Sequence, residues 1–451
     1  MQDFVHLHVH TYYSILDGQS SIQKLVDKAV ADGMRGMAIT DHGDMFGIKE
    51  FWDYCAGVNS KRKKEGLEPF KPILGCEMYV AHHNKEDRAG KEDRSGYHLI
   101  VLAKNYLGYK NLIKLVSNSW TDGFYMRPRT DRADLERHHE GLIVCSACIA
   151  GEVPSKVLKG DIEGAREAVQ WYKRVFGDDY YLELQRHEVK DPSIRANRET
   201  YPLQQRANSV LMQLAREYGV KIVCTNDAHF VDQENAEAHD HLLCLSTGKD
   251  LDDPTRMLYS KQEWFKTRAE MNEVFGDLPE AMANTLEVLD KVELYSIEHS
   301  PIMPFFPIPE SFGTEEQWRA KFTEEQLFAE FTSDENGQNP LPREEGEKKI
   351  EKLGGYDKLY RIKFEADYLA KLAYEGARKL YGDPLTDEVE ERVRFELHIM
   401  KTMGFPGYFL IVQDFINSAR DELGVMVGPG RGSAAGSVVA YCLGITKIDP
   451  I

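Results

Sequence analysis

No apolar run in this chain of 451 residues approaches the roughly 18 needed to cross a bilayer. The first ten residues, MQDFVHLHVH, have neither the basic nor the apolar region of a secretory leader, so a cytoplasmic location is expected. Cysteine is scarce. The seven residues Cys55, Cys76, Cys145, Cys148, Cys224, Cys244 and Cys442 are scattered and odd in number, which argues against a disulfide framework and for reduced thiols. Cys145 and Cys148 form one C-x-x-C without a second pair, which speaks against a zinc ribbon. Positive charge is short as well: 56 Lys and Arg against 74 Asp and Glu leave a formal charge of −18. Non-specific nucleic-acid binding by the whole surface is therefore not expected, although a local basic groove is compatible with that balance. There is no internal repeat. The glycine-rich stretch GPGRGSAAGS lacks the lysine of a Walker loop.

What is present suits a globular protein with two or more domains, each able to bury its own core. From the N-terminus to about residue 230, short apolar runs alternate with helical patterns. Ser20 opens an S-x-x-Q start, followed at helical spacing by Ile22, Leu25, Val26, Ala29 and Val30, and Gly33 stops the run. The runs MAIT, PILGCEMYV, HLIVLA, GLIVCS, YYLELQ and KIVC read as strands, and Leu203 to Tyr218 as an amphipathic helix ended by Gly219. Apolar strands alternating with helices predict parallel strands covered by helices, as a barrel or a doubly wound sheet. Beyond residue 230 the strands thin out. SPIMPFFPIPESF reads as a domain junction, residues 333–355 as an exposed, charge-dense insertion, and helical patterns resume before the glycine-rich loop at 428–437.

The opening stretch FVHLHVHTYYS places His6, His8 and His10 on one face of a strand and Val5, Leu7 and Val9 on the other. Further ligand-type residues stand where the later strands end: Asp41 and His42 after MAIT, Glu77 after PILGC, Cys148 after GLIVCSA, Asp227 and His229 after KIVCTN. In parallel α/β architectures the carboxyl ends of strands are where functional loops converge. With His8, His10 and Asp17 these groups can share one mouth. Singly, each has an ordinary reading: a buried thiol, a turn aspartate, a paired strand carboxylate. Together, histidine, carboxylate and one thiolate suit zinc, manganese or iron, and two or three such ions suit phosphoester hydrolysis. His98 begins its strand, so it joins the cluster only if HLIVLA runs antiparallel to its neighbour or the preceding loop folds over the mouth. His82, His83, His138, His139 and His187 are given no such role. In the glycine-rich loop, close backbone approach together with Arg431, Ser433 and Ser437 reads as a triphosphate cradle.

The motifs HVHTYYS, TDHGD, GCEMYV, strand-initial His98, SACIAGE and TNDAH resemble those of the polymerase and histidinol phosphatase (PHP) domain, a distorted seven-stranded β/α barrel. All nine of that family's ligand places are filled. The resemblance implies one ion on His8, His10, Glu77 and Asp227, a second on Asp17, His42 and His229, and a third on Glu77, His98 and Cys148. It gives catalytic roles to Glu77, Asp227 and His229, while His6 has none. The stretch MGFPGYFLIVQDFI with VGPGRGSAAGS resembles the nucleotidyltransferase-like palm of C-family bacterial replicative DNA polymerases, the DNA polymerase III alpha family. There, Arg431, Gly432 and Ser433 would bind the nucleotide.

The resemblance implies a PHP domain over 1–280 and a mostly helical, incomplete palm over 281–451. The palm carboxylates that hold Mg²⁺ have no counterpart here, so a fragment unable to polymerise on its own is expected. Implied partners are primer-template DNA, dNTPs, the sliding clamp and proofreading or other replisome subunits in a bacterial cytoplasm, with no membrane. The activity expected of the metal site is 3′–5′ exonuclease or phosphoesterase. Two alternatives stand beside it: a free-standing small-molecule phosphatase, and a PHP domain that is only a metal-stabilised structural module.

Overall fold

The computed structural model describes residues 2–189, 195, 199–299, 302 and 304–451. The chain forms two compact units, Met1–His299 and Ser300–Ile451. The division lies further along than the expected 280/281, because the helix Pro279–Lys291 belongs to the first unit. Its Asn284 donates to Ile222 O at 2.8 Å, Thr285 Oγ1 accepts from Val5 N at 3.2 Å, and the Leu289 carbonyl accepts from Lys71 Nζ at 2.7 Å. Ser300, Pro301 and Met303 of the expected junction lie outside the described residues.

Among its described residues the first unit has eight strands: β1 Gly36–Ile39, β2 Lys71–Val80, β3 Tyr97–Ala103, β4 Phe124–Tyr125, β5 Arg127–Thr130, β6 Leu142–Cys145, β7 Tyr180–Gln185 and β8 Lys221–Thr225. They curl in the order β1–β2–β3–β6–β7–β8. β2 carries β1 beside its first residues and β5 beside its last, Tyr79 and Val80. The sheet is mixed rather than all parallel, since β3 runs antiparallel to both β2 and β6.

The opening stretch is not the regular strand that alternation predicts. Only Val9 forms a bridge, to Ala228, yet the segment joins the two ends of the curled sheet. Ala38 N donates to His6 O and Thr40 N to Val9 O, both at 2.8 Å, while His10 N donates to Ala228 O at 2.7 Å. With β1, β2, β3, β6, β7 and β8, this segment makes the seven walls of the expected barrel. Because the sheet closes, both faces of the segment are buried: Val5, Leu7 and Val9 join the hydrophobic core, and His6, His8 and His10 are just as buried.

Helices cover the outside. Ile22–Ala31 buries Ile22, Leu25, Val26 and Ala29, the residues its 3.6 period selects. Its cap differs from expectation: Ser21, not Ser20, precedes the helix and makes no side-chain capping bond, while the Ser20 hydroxyl is buried. The helix Tyr201–Tyr218 ends as read, at Gly219 with φ +62°.

The second unit is helical, with no strand among its described residues. Its axis is the 27-residue helix Gly355–Tyr381. One core gathers Leu369, Ala373, Val389, Val393, Leu410, Val438 and Val439, and another gathers Leu327, Phe331, Ile350 and Leu359. The segment 333–355 is only partly the exposed insertion expected. Arg343–Leu353 is a helix that buries Gly346 and Ile350, and a Cβ on Gly346 would lie 2.5 Å from the Phe328 ring.

Candidate metal centre

All nine side chains singled out in the sequence converge at one end of the barrel. β1 and β2 are parallel, so the end of β1 lies beside the middle of β2. His42 bridges Glu77, Glu77 N donates to Asp41 O at 3.0 Å, and Gly43 N donates to Glu77 O at 2.8 Å. The reversal of β3 resolves the position of His98: its register partner is Tyr79, so the start of β3 stands beside the end of β2. His98 N also donates to Ala150 O at 3.1 Å, which draws in the Cys148 loop. Val9 and Ala228 pair in parallel, which sets His8 and His10 against Asp227 and His229.

Glu77 is the hub. One carboxylate oxygen lies 2.9 Å from His98 Nδ1 and 3.3 Å from His8 Nε2; the other lies 2.5 Å from His42 Nδ1 and 3.8 Å from His10 Nε2. Asp227 Oδ1 is 3.0 Å from His8 Nε2 and 3.3 Å from His10 Nε2. Asp17 Oδ2 is 2.8 Å from His42 Nε2 and 3.8 Å from His229 Nε2, and Cys148 Sγ is 3.6 Å from His98 Nδ1. Three groups have the mutual spacing of ligands to one cation: His8, His10 and Asp227; Glu77, His98 and Cys148; and His10, His42 and His229. The last brings His10 to the ligands expected for the second ion, so His10 stands between two sites.

The surrounding shell sets the tautomers. His8 Nδ1 lies 2.7 Å from Glu183 Oε1, which also accepts from Thr225 Oγ1 at 2.5 Å and Gln185 Nε2 at 3.1 Å. His10 Nδ1 donates to Ser14 Oγ at 2.9 Å, because the Ser14 hydroxyl spends its own proton on Asp41 Oδ1 at 2.7 Å. His229 Nδ1 donates to the Asp227 carbonyl at 2.8 Å. In all three rings Nε2 is turned toward the cluster, the arrangement in which an outer partner orients a metal-ligating imidazole.

The residues fit divalent cations. Asp17 Oδ1, Glu77 Oε2, Asp227 Oδ1 and His42 Nδ1 are buried and meet ion-pair neighbours without an aligned hydrogen bond, an under-satisfied state that a cation among them would relieve. Burial, joined by Glu77 and Asp227, pushes the Cys148 thiol well above its ordinary range, so a thiolate there needs a cation beside it. Burial opposes ionisation of Glu77 and Asp227, yet the surrounding histidines outweigh it and hold both carboxyls well below the usual range. Burial likewise opposes charge on His8, but Asp227 and Glu183 overcome it and hold its pKa well above normal. For His10, burial with His42 and His229 nearby lowers it to about 3. Backbone strain also gathers here: Leu16, Ala147 and Asp227, each next to or among the expected ligands, have φ of +61°, +60° and +48°, conformations that side-chain-bearing residues adopt at a cost of about 1–3 kcal/mol.

Three neighbours of the centre were not read from the sequence. Glu183 has a usable signal, a carboxylate between Leu182 and Leu184 in a strand buried along its whole length. Tyr259, whose hydroxyl lies 3.3 Å from Asp17 Oδ2, and His239, 4.0 Å from Asp17 Oδ1, come from a loop and a helix with no such signal. His6 stays outside the cluster: its Nε2 lies 2.7 Å from Lys266 O and its ring packs on Phe265. His187 is likewise committed elsewhere, to the Asn226 carbonyl at 3.0 Å.

In the second unit the glycine-rich loop is mostly exposed. Gly430 and Gly432 have φ of +129° and +63°, which glycine adopts without strain. Gly432–Gly436 forms one short 3-10 turn, and Ser433 lines a cavity of about 340 Å³ with Phe395, Met403 and Phe409. Ser437 caps the helix Val438–Cys442 and donates to Glu396 at 2.7 Å.

Residues 6–187 match the PHP domain family, and residues 367–451 match the bacterial DNA polymerase III alpha NTPase domain. The chain is 40% identical over 99% of its length to a protein named DNA polymerase III subunit alpha from Borreliella burgdorferi, and 38% identical over its full length to one from Campylobacter jejuni. It spans about a third of each, 33% and 34% respectively. Among solved structures, histidinol phosphate phosphatase from Lactococcus lactis, complexed with zinc, L-histidinol and phosphate, matches 55% of this chain and 95% of its own at 14% identity and a TM-score of 0.28. No described helix is long and apolar enough to cross a membrane.

Proposed function

Because the chain belongs to the bacterial DNA polymerase III alpha family, with a PHP domain in its first unit, we propose that it is part of a replicative DNA polymerase of the bacterial cytoplasm. In this reading, residues 1–299 are a metal-dependent phosphoesterase acting on DNA 3′ ends. The second unit contributes part of a palm, with Arg431, Gly432 and Ser433 toward the triphosphate of a dNTP and Mg²⁺ held by residues of the whole polymerase. Primer-template DNA, the sliding clamp and a proofreading subunit are the partners proposed for that whole protein.

The observation that carries the hydrolytic reading is the hub: the buried Glu77 carboxylate lies within 4 Å of four histidines. Two to three zinc, manganese or iron ions would be held by His8, His10, Asp17, His42, Glu77, His98, Cys148, Asp227 and His229. When bound, they supply an activated water and neutralise the charge that develops on a phosphoryl group. The chain's own residues orient that chemistry. Glu183, Ser14 and the Asp227 carbonyl engage the outer nitrogens of His8, His10 and His229, so that each ring turns its inner nitrogen to the cluster, where a cation would replace any proton held there. Asp227, His229 and the bridging Glu77 define the face at which a phosphodiester would sit.

The test is incubation of the manganese- or zinc-loaded chain with a 5′-labelled oligonucleotide. Stepwise shortening from the 3′ end, lost in Asp227→Asn and Glu77→Gln, is expected. Turnover of simple phosphomonoesters with no action on DNA would favour the small-molecule phosphatase instead. Metal that raises the melting temperature while no substrate is cleaved would favour the structural role.

A further inference from the structure

Beside the metal centre lies an aromatic shelf that the cluster itself does not use. Phe46, Trp120 and Phe124 are 56%, 42% and 44% exposed, high values for side chains of this size. Trp120 and Phe124 are stacked, with centroids 5.4 Å apart and planes 16° from parallel, and Phe46 lies 6.2 Å from Trp120. The shelf is tied to the centre by backbone. Trp120 Nε1 donates at 2.8 Å to the carbonyl of Gly43, the residue after His42. Gly43 itself has φ +65°, and a Cβ there would come within 2.7 Å of Pro128 and 3.1 Å of the Tyr79 ring. That close approach clamps the turn between the cluster and the β4–β5 hairpin.

The hairpin adds a cation. Arg127, exposed, follows Met126, whose φ is +65°. Its guanidinium sits 5.7 Å from the centre of the Tyr79 ring, and Tyr79 in turn packs edge-on to His98 at 5.2 Å and beside His42 at 6.3 Å. In a chain of net charge −18, Arg127 has no ion pair among the described residues. It rests on the Tyr79 ring, one ring away from two of the candidate ligands.

We propose that Phe46, Trp120, Phe124 and Arg127 form a binding site for the terminal nucleotides of single-stranded DNA, with unstacked bases on the aromatic shelf and Arg127 on a backbone phosphate. The assignment rests on the phosphodiesterase reading and supplies its substrate form. Flat side chains beside a cation are how single strands are held without sequence preference, since every base has a π-face. A duplex, whose bases are already stacked, gains nothing from the shelf.

The test is fluorescence anisotropy of a 5′-fluorescein dT12 with the full chain in EDTA, where no cleavage occurs. Phe124→Leu, which keeps an apolar side chain but loses the π-face, and Arg127→Gln should each weaken binding about tenfold with unchanged melting temperatures. On an abasic 12-mer, Arg127→Gln should still weaken binding while Phe124→Leu has no effect. Equal affinity for dT12 in wild type and both variants, duplex binding as tight as single-strand binding, or a shelf that instead pairs two copies of the chain in sedimentation would overturn the proposal. Cleavage is measured separately with metal. A chain that binds dT12 as described yet cuts nothing removes the hydrolytic reading and leaves the shelf standing.

Discussion

At the scale of single residues, the centre depends on a carboxylate that occupies no expected ligand position but orients one of the ligands. Glu183 holds His8 from behind, and losing such a partner costs about 10- to 100-fold in metal affinity. Glu183→Gln is therefore expected to weaken zinc binding by that factor in a chelator competition while leaving the fold intact. Lys266 gives a separate test of burial. It is 2% exposed, its ammonium lies 3.2 Å from Asn226 Oδ1 and 3.5 Å from the centre of the Trp264 ring, and burial lowers its pKa to about 7. The folded state therefore releases this proton near pH 7, whereas the unfolded chain keeps it to about pH 10.4. Over that window the unfolded state binds more protons, so this group's contribution to stability rises with pH. Denaturant titrations between pH 7 and 9 should show a rise in wild type that Lys266→Met lacks. Most of the nine ligand candidates were legible because their types follow apolar runs, whereas Asp17 lies in a turn and His98 begins its strand, and the full set came with the family resemblance. Glu183 was legible in principle, as a lone carboxylate within a buried apolar strand, whereas Tyr259 and His239 come from loop and helix positions that no local pattern encodes.

At the scale of elements, the turn after β1 is the most constrained piece of the centre. Gly43→Ala would force a side chain into the left-handed region, at about 1–2 kcal/mol, and against Pro128 and Tyr79. A loss of a few kcal/mol in urea unfolding is expected, with reduced metal content, because His42 moves with that turn. Strands β2, β3, β6, β7 and β8 were readable from their apolar runs. The direction of β3 was not, since hydrophobicity carries no arrow; only the position of His98 at its start hinted at the reversal. The opening stretch shows the opposite case. Its alternation groups His8 with His10, but alternation alone does not say that both faces are buried, which follows from the closure of the barrel. The segment 333–355 reads as an exposed insertion by charge alone, yet within it Gly346 and Ile350 suffice to seat the helix Arg343–Leu353 on Phe328.

At the scale of the molecule, the two units should respond differently to metal. The candidate ligands all lie within residues 8–229, inside the first unit, so saturating zinc or manganese should raise that unit's unfolding transition. A cation at one hundred times its dissociation constant adds about 2.7 kcal/mol per site. Calorimetry with and without EDTA should show one metal-sensitive transition and one that does not move. In the proposed site, nine side chains from seven separate stretches of chain would form one multinuclear centre bridged by Glu77. Elemental analysis after equilibration with zinc or manganese and gel filtration tests it most directly. Two to three ions per chain are predicted, with Glu77→Ala losing more than a single site's worth of metal; a metal-free chain with all nine residues intact would contradict the account.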